Sequence, residues 1–229
     1  MCGRYRLTRA EKMAQRFDAE FTGELRPRYN IAPTQIVPVV RATDSGRTIC
    51  SMRWGLIPSW ASNASIGQIN ARSETVLEKP AFRESFERRR CLIPADGFYE
   101  WRRMVNTKQP FHFGLKDDSL FAFAGIWDRW MAPAGQAIES CAILTTTPNQ
   151  LLRDVHDRMP AMLNEQDYDE WLATPPTESH RLTDLLVPCD ACLMKRYPVS
   201  SLVNYPQNDI PACAIEVPES SSAQIGLFG

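Results

Sequence analysis

Between Cys91 and Thr146 the chain passes through five short runs of β-branched and aromatic residues, and this stretch limits the fold more than any other. The runs are Cys91–Pro94, Gly97–Arg103, Pro110–Leu115, Leu120–Ile126 and Ile138–Thr146, divided by turn formers such as Asn106-Thr107 and Asp117-Asp118. Gln35–Arg41, Thr48–Leu56, Leu193–Val199 and Ala212–Val217 also read as strands. Helices are few. Thr8-Arg9-Ala10-Glu11 is a capping-box pattern that opens a helix to about Phe17, with Met13 and Phe17 one turn apart. Pro80–Arg90 reads as a charged helix with Phe82 and Phe86 on one side, and Thr147-Pro148-Asn149-Gln150 as the start of a short one. Glu165–Ala173 and Glu178–Leu186 complete the set. Strands without βαβ alternation predict an α+β fold, with a mixed or antiparallel sheet and peripheral helices.

At 229 residues the chain can bury the core of one domain, or of two small ones. It has no apolar run long enough to span a bilayer, and no signal-peptide stretch after MCGRYRLTRAEK, so a soluble cytoplasmic protein is expected. Seven cysteines, an odd number, read as reduced thiols rather than a disulfide scaffold. The net charge of −1 hides an asymmetry: residues 1–110 carry 19 Lys/Arg against 11 Asp/Glu, residues 111–229 carry 7 against 16. Such a basic half can form an anion-binding face, or the two halves can simply neutralise each other across one fold.

Cys2 is the residue with the most distinctive chemistry. The initiator methionine is normally trimmed before a residue this small, which leaves a free α-amine beside a thiol. With pKa values of about 7.7–8.0 and 8.5, both groups are partly nucleophilic near neutral pH. A 1,2-aminothiol condenses with an aldehyde to an imine, and sulfur then closes a five-membered thiazolidine ring. An internal cysteine cannot do this, because its nitrogen is an amide.

Three further segments are dense in reactive groups. Glu100 stands beside Trp101 after the Asp96-Gly97 turn, Asn70 and Arg72 are two residues apart, and His156 sits in a short loop ending in Pro160. Each also has an ordinary structural reading: a strand-face carboxylate, a turn cap and a loop histidine held by a backbone carbonyl.

Taken in order, Met1-Cys2-Gly3-Arg4-Tyr5, Arg28 to Pro33, Trp54 to Trp60, Asn70 to Thr75, Cys91 to Trp101 and His156 to Pro160 resemble the SRAP (SOS-response-associated peptidase) family of abasic-site processing proteins. The resemblance runs from residue 1 to about 205. It implies a single SRAP-like domain over 1–218, with a curved or barrel-like sheet, and a tail over 219–229. It also implies roles. Cys2 would capture the aldehyde of an abasic site in single-stranded DNA as a thiazolidine, in the DNA-damage response. Glu100 would shuttle protons as the sugar opens, His156 would assist ring opening and imine chemistry, and Asn70 would hold the sugar oxygens. Arg4 and Arg72 would pair with phosphates, Trp60 and Trp101 would offer stacking surface, and Pro33 would help wedge the strand apart. No metal or organic cofactor is implied. A monomer suffices, acting in the cytoplasm on nucleoid DNA.

Two other features bear on function. Cys189-Asp190-Ala191-Cys192 has zinc-pair spacing, with Cys213 and His180 as conceivable partners, but no second close pair accompanies it, so no metal is expected. Gln224, Leu227 and Phe228, at the end of a Ser-rich tether, resemble a peptide that docks on the bacterial replicative sliding clamp. Two competing functions use the same residues. One is a cysteine peptidase acting in autoprocessing, with Cys2, His156 and Glu100 or Asn70 as its machinery. The other is a non-catalytic single-stranded DNA-binding module.

Overall fold

The computed structural model describes residues 2–64, 67–105 and 107–219. The tail residues Gln224, Leu227 and Phe228, and Asn106 of one expected turn, lie outside the described residues. The strands are β1 (Tyr5–Leu7), β2 (Ala19–Glu20), β3 (Arg28–Ile31), β4 (Ile36–Thr43), β5 (Gly46–Trp54), β6 (Asn70–Arg72), β7 (Arg90–Ala95), β8 (Gly97–Arg103), β9 (Lys108–Leu115), β10 (Phe121–Met131), β11 (Ala137–Thr146), β12 (Met159–Pro160), β13 (Met162–Leu163) and β14 (Met194–Pro198). Helices α1 (Met13–Arg16), α2 (Arg83–Arg88) and α3 (Tyr168–Ala173) are short, and none of the described helices is long and apolar enough to cross a membrane.

The α+β expectation holds, and the larger sheet closes into a five-stranded barrel. Antiparallel pairings run β11–β10–β7–β4–β5, and a parallel pairing of Ser140 with Arg53 and Cys141 with Trp54 joins the ends. Closure satisfies backbone groups that an open edge would leave to solvent. A second sheet, ordered β14–β9–β8–β1–β3, packs against it. Tyr5 stands edge-on to Trp54 at 5.2 Å and to Phe123 at 5.8 Å, while Phe98 stacks on Phe113 at 5.3 Å. Alternation along β8 places Phe98 and Glu100 on one face and Tyr99 and Trp101 on the other. Glu100 therefore follows Phe98 toward the interior, and burial of this carboxylate is a result of strand parity.

The opposite face of β8 is covered by a strap, residues 199–214, in which Val199, Val203 and Cys213 pack on Tyr99. Polar bonds tie it down. Asn30 Nδ2 donates to the carbonyls of Tyr205 (3.0 Å) and Asn208 (2.8 Å), Asp209 accepts from the backbone N–H groups of Tyr29 and Asn30, and Arg28 pairs with Asp209.

Several local expectations fail for identifiable reasons. The stretch after Thr147 is a series of turns, in which Asn149 Nδ2 donates to the Cys189 carbonyl and Asn149 Oδ1 accepts from Leu152 N. Ala212–Val217 is no strand: Pro211 starts a 3-10 turn over Pro211–Ala214, and one bridge, Val199 to Glu216, follows. Glu178–Leu186 falls in a 3-10 segment. The first helix begins without a side-chain cap from Thr8. Its role passes to buried Asp96, which accepts from Thr8 N (2.6 Å), Thr8 Oγ1 (2.7 Å) and Arg9 N (3.0 Å) across the fold. The next residue must be Gly, since a Cβ at Gly97 would lie 2.0 Å from His112 Nε2.

Candidate active site

Cys2 precedes β1 and has no solvent-exposed surface. Its carbonyl accepts from Asn70 Nδ2 at 2.8 Å, and its Sγ lies 3.9 Å from the Arg4 carbonyl. Asn70 opens β6, which is held parallel to β11 by the pairing of Ile143 with Asn70. Burial, reinforced by the negative charge of Glu100, pushes the Cys2 thiol well above its usual range. The thiol is therefore protonated at neutral pH. With Met1 attached, the Cys2 nitrogen is an amide.

Glu100, 3 % exposed, sits where Cys2 feels its charge. Burial raises its carboxyl to about 7, against a positive amino terminus and the Trp101 N–H that favour the ionised form. A carboxyl at that value is half ionised near neutrality and can give or take a proton. His156 comes in from the loop after β11, and the charge of its neighbour Asp157 reaches Glu100. Burial, followed by the positive amino terminus, lowers the His156 pKa, while Asp157 works the other way. Its Nδ1 accepts from Arg158 N at 3.0 Å and lies 2.9 Å from Asp157 Oδ1. Glu100 acts on the Cys2 thiol, Asn70 binds the Cys2 carbonyl, and the charge of Asp157, next to His156, reaches Glu100.

The residues expected at a nucleic-acid surface divide into two sets. Arg4 and Trp101 sit together, the guanidinium carbon 6.0 Å from the indole centroid. Both are also committed to the strap: Arg4 Nη1 donates to Val203 O (2.9 Å) and Asn30 Oδ1 (3.2 Å), and Trp101 Nε1 to Asn204 Oδ1 (2.7 Å). Half-buried and pinned, they form a rigid wall. Pro33, Trp60 and Arg72 stand on separate loops and strand ends. Trp60 is 65 % exposed, and its loop is fixed by Ser59 N donating to buried Asp128 at 2.8 Å. Arg72 is exposed at the end of β6, two residues from Asn70, and no carboxylate pairs with it among the described residues. Pro33 occupies the second position of a turn closed by Gln35 N to Ala32 O, and Thr34 takes a left-handed φ of 72°. Positive φ is strained for a β-branched residue, and Gln35 Oε1 holds the turn by accepting from Ala32 N (3.1 Å) and Arg28 Nη2 (2.6 Å).

Beside His156 a cleft of roughly 400 Å³ is lined by Trp101, Arg102, Arg103, Asp154, Val155 and Asp157, a size typical of small-ligand sites. Sequence reading missed Asp157, Arg103, Asn204 and Asp128, all of which touch or support expected site residues. Only Asp157 carried a signal, through adjacency to His156. Among the described residues no group of three or more His, Cys, Asp or Glu is arranged to hold a metal; Cys189 is half-buried and Cys192 exposed.

The chain is similar to known proteins in sequence and in fold. The sequence profile described as SOS response associated peptidase (SRAP) matches residues 1–206. The chain belongs to the SRAP family. Among its SRAP relatives, the abasic site processing protein YoqW of Bacillus subtilis strain 168 is 44 % identical over 218 residues, covering 92 % of this chain and 97 % of YoqW. The abasic site processing protein HMCES of Mus musculus is 34 % identical over 228 residues, covering 82 % of this chain and 64 % of HMCES. An X-ray structure of a protein from Bacteroides thetaiotaomicron superposes with a TM-score of 0.85 at 29 % identity, covering 94 % of this chain and all of that one. The SRAP fold expected from the sequence is thus the fold found.

Proposed function

We propose that this SRAP protein binds single-stranded DNA and captures abasic sites covalently through Cys2 once Met1 is removed. The observation that carries the reading is the buried Glu100 carboxyl, raised to about 7, placed to act on a Cys2 whose carbonyl is clamped by Asn70. The names of the relatives, abasic site processing proteins, support the same substrate.

The chemistry follows from the protonation states. An abasic sugar is a cyclic hemiacetal in equilibrium with an aldehyde. Glu100 and His156 move the two protons that open it, one from the C1′ hydroxyl and one to the ring oxygen. The α-amine of Cys2 adds to C1′ and water leaves, giving an imine. The protonated thiol then adds across the C=N bond: sulfur bonds to C1′ and its proton ends on nitrogen. The sum is one water lost and no redox change. The cysteine-peptidase alternative has no use for Arg4, Arg72 and Trp60, whereas capture of DNA does. Ring closure also competes with strand cleavage from the imine, so lyase activity is a side branch.

Arg72 and the edge of Arg4 left free of the strap meet phosphates, Trp60 and Trp101 receive unstacked bases, and Pro33 enters the strand at the gap left by the missing base. Capture of one lesion uses one molecule. The tail bearing Gln224, Leu227 and Phe228 would bring the protein to the sliding clamp and so to exposed template; removing residues 224–229 should abolish clamp binding and spare capture in solution.

The deciding experiment incubates Met1-free protein with a single-stranded oligonucleotide carrying one abasic site. A denaturing gel should show a crosslink whose intact mass is protein plus DNA minus one water, absent in Cys2→Ala. No crosslink, or one that persists in Cys2→Ala, overturns the reading.

A further inference from the structure

The loop that carries Trp60 is fastened to the barrel by side chains on one face of the sheet. Ser140 and Asp128 are cross-strand partners on β11 and β10, and Trp130 follows Asp128 two residues on, so all three share that face. All three are buried. Ile57 N–H donates to Ser140 Oγ at 2.8 Å, Ser59 N–H to Asp128 Oδ2 at 2.8 Å, and Trp130 Nε1 to the Ala61 carbonyl at 2.7 Å. The sheet therefore grips the loop at every second residue, and Ala61 N–H closes the turn on Pro58 O at 2.9 Å. Trp60 lies between the last two grips, with its ring mostly in solvent. The base of the loop is also fixed. Leu56 and Gln68 form a bridge, Trp54 Nε1 donates to Ile69 O at 2.9 Å, and a Cβ at Gly67 would lie 1.9 Å from Gly55 O. The residue after Ile69 is Asn70, whose amide binds the Cys2 carbonyl.

A large aromatic ring exposed on a backbone held this firmly is a binding surface built in advance. Resting on the reading of Trp60 as a stacking surface for DNA, we propose that Ser140, Asp128 and Trp130 are positioning residues that hold the Trp60 ring in fixed register with Asn70 and Cys2. A base stacked on Trp60 then sets where the sugars of the same strand fall relative to the aminothiol. The advantage is entropic. Ordering one free backbone residue on binding lowers affinity by a factor of roughly five to thirty, and a loop already ordered in the free protein avoids that loss. The three groups suit the task. Asp128 Oδ1 accepts from Arg129 N at 2.8 Å and lies 3.2 Å from Arg89 Nε, so one oxygen is anchored while the other faces the loop. Trp130 presents its donor on a rigid ring rather than on a flexible stem.

The rival assignment makes the three bonds part of general stability, with no bearing on DNA. Affinity for a single-stranded oligonucleotide with a non-reactive abasic analogue separates the two, because it does not depend on the capture chemistry. Trp130→Phe keeps a buried aromatic ring and removes the N–H. It should weaken binding by roughly three- to tenfold, but by less than about 1.5-fold when Trp60 is already Ala, since no ring is then left to place. Under the rival, Trp130→Phe lowers the melting temperature and leaves affinity as in wild type. A second readout needs no DNA: hydrogen exchange at the Ser59 amide should speed up by about tenfold or more in Trp130→Phe, while the amides of β10 and β11 exchange as in wild type. Full affinity in folded Trp130→Phe, an equal loss with and without the Trp60 ring, or faster exchange spread over both strands overturns the proposal. Wild-type protein that binds the oligonucleotide but never crosslinks a reactive abasic site would instead overturn the capture chemistry, and the comparison with and without Trp60 would still decide this one.

Discussion

Replacing Glu100 by Gln should make the protein more stable and less active, and the gain should depend on pH in a defined direction. Burial raises the Glu100 carboxyl from the ordinary 4.5 to about 7. Between those values the folded protein keeps a proton that the unfolded chain has released. Stability therefore falls as pH rises through this window, at about 1.4 kcal/mol per pH unit, or about 3 kcal/mol in all. Below 4.5 both states are protonated and the carboxyl contributes no penalty. Glu100→Gln keeps the size of the side chain and cannot ionise, so it should match wild type near pH 4 and exceed it by up to about 3 kcal/mol above pH 7.5. For a chain of this length that corresponds to roughly 6–12 °C in melting temperature. Thermal or urea melts of both proteins from pH 4 to 8.5, taken as a difference curve, isolate this group from every other titration. A difference that is flat with pH, or that grows toward acid, refutes the reasoning. The same variant should lose most of its capture of abasic DNA, since an amide cannot shuttle a proton.

Thr34→Gly should raise the urea midpoint by the equivalent of about 1 kcal/mol, because relief of left-handed strain outweighs the entropy of glycine; a lower midpoint would mean that the turn at Pro33 is unstrained. Gly97→Ala places a methyl group against the buried His112 ring and should destabilise by about 3 kcal/mol, read as a lower melting temperature at pH 7. Trp60→Ala should change stability by less than about 0.5 kcal/mol, because the ring is mostly exposed. It should weaken single-stranded DNA binding by about 1–3 kcal/mol, and equal affinity in a filter-binding assay would remove Trp60 from the interface.

The central strands were legible because each is bounded by residues that cannot continue it, such as Asp117-Asp118 before Phe121. Barrel closure came only from the family resemblance, because the β5–β11 pairing joins Arg53 to Ser140 without any local pattern. Tyr5–Leu7 and Arg28–Ile31 were missed for a related reason: three- and four-residue strands acquire their conformation from neighbours rather than from periodicity. Where local rules failed, a distant side chain had taken over, as Asp96 did for Thr8. In the site, Cys2, Asn70, Glu100 and His156 could be singled out by chemistry, whereas the groups that hold them could not.

The strap over β8 has a consequence for the order in which this molecule assembles. Arg4 and Trp101, from the first half of the chain, complete their bonding only on Val203 and Asn204, close to the end of the described chain. On the ribosome the strap therefore follows both residues by a long stretch of chain, and the wall they form takes its final shape only after residues 199–214 have emerged.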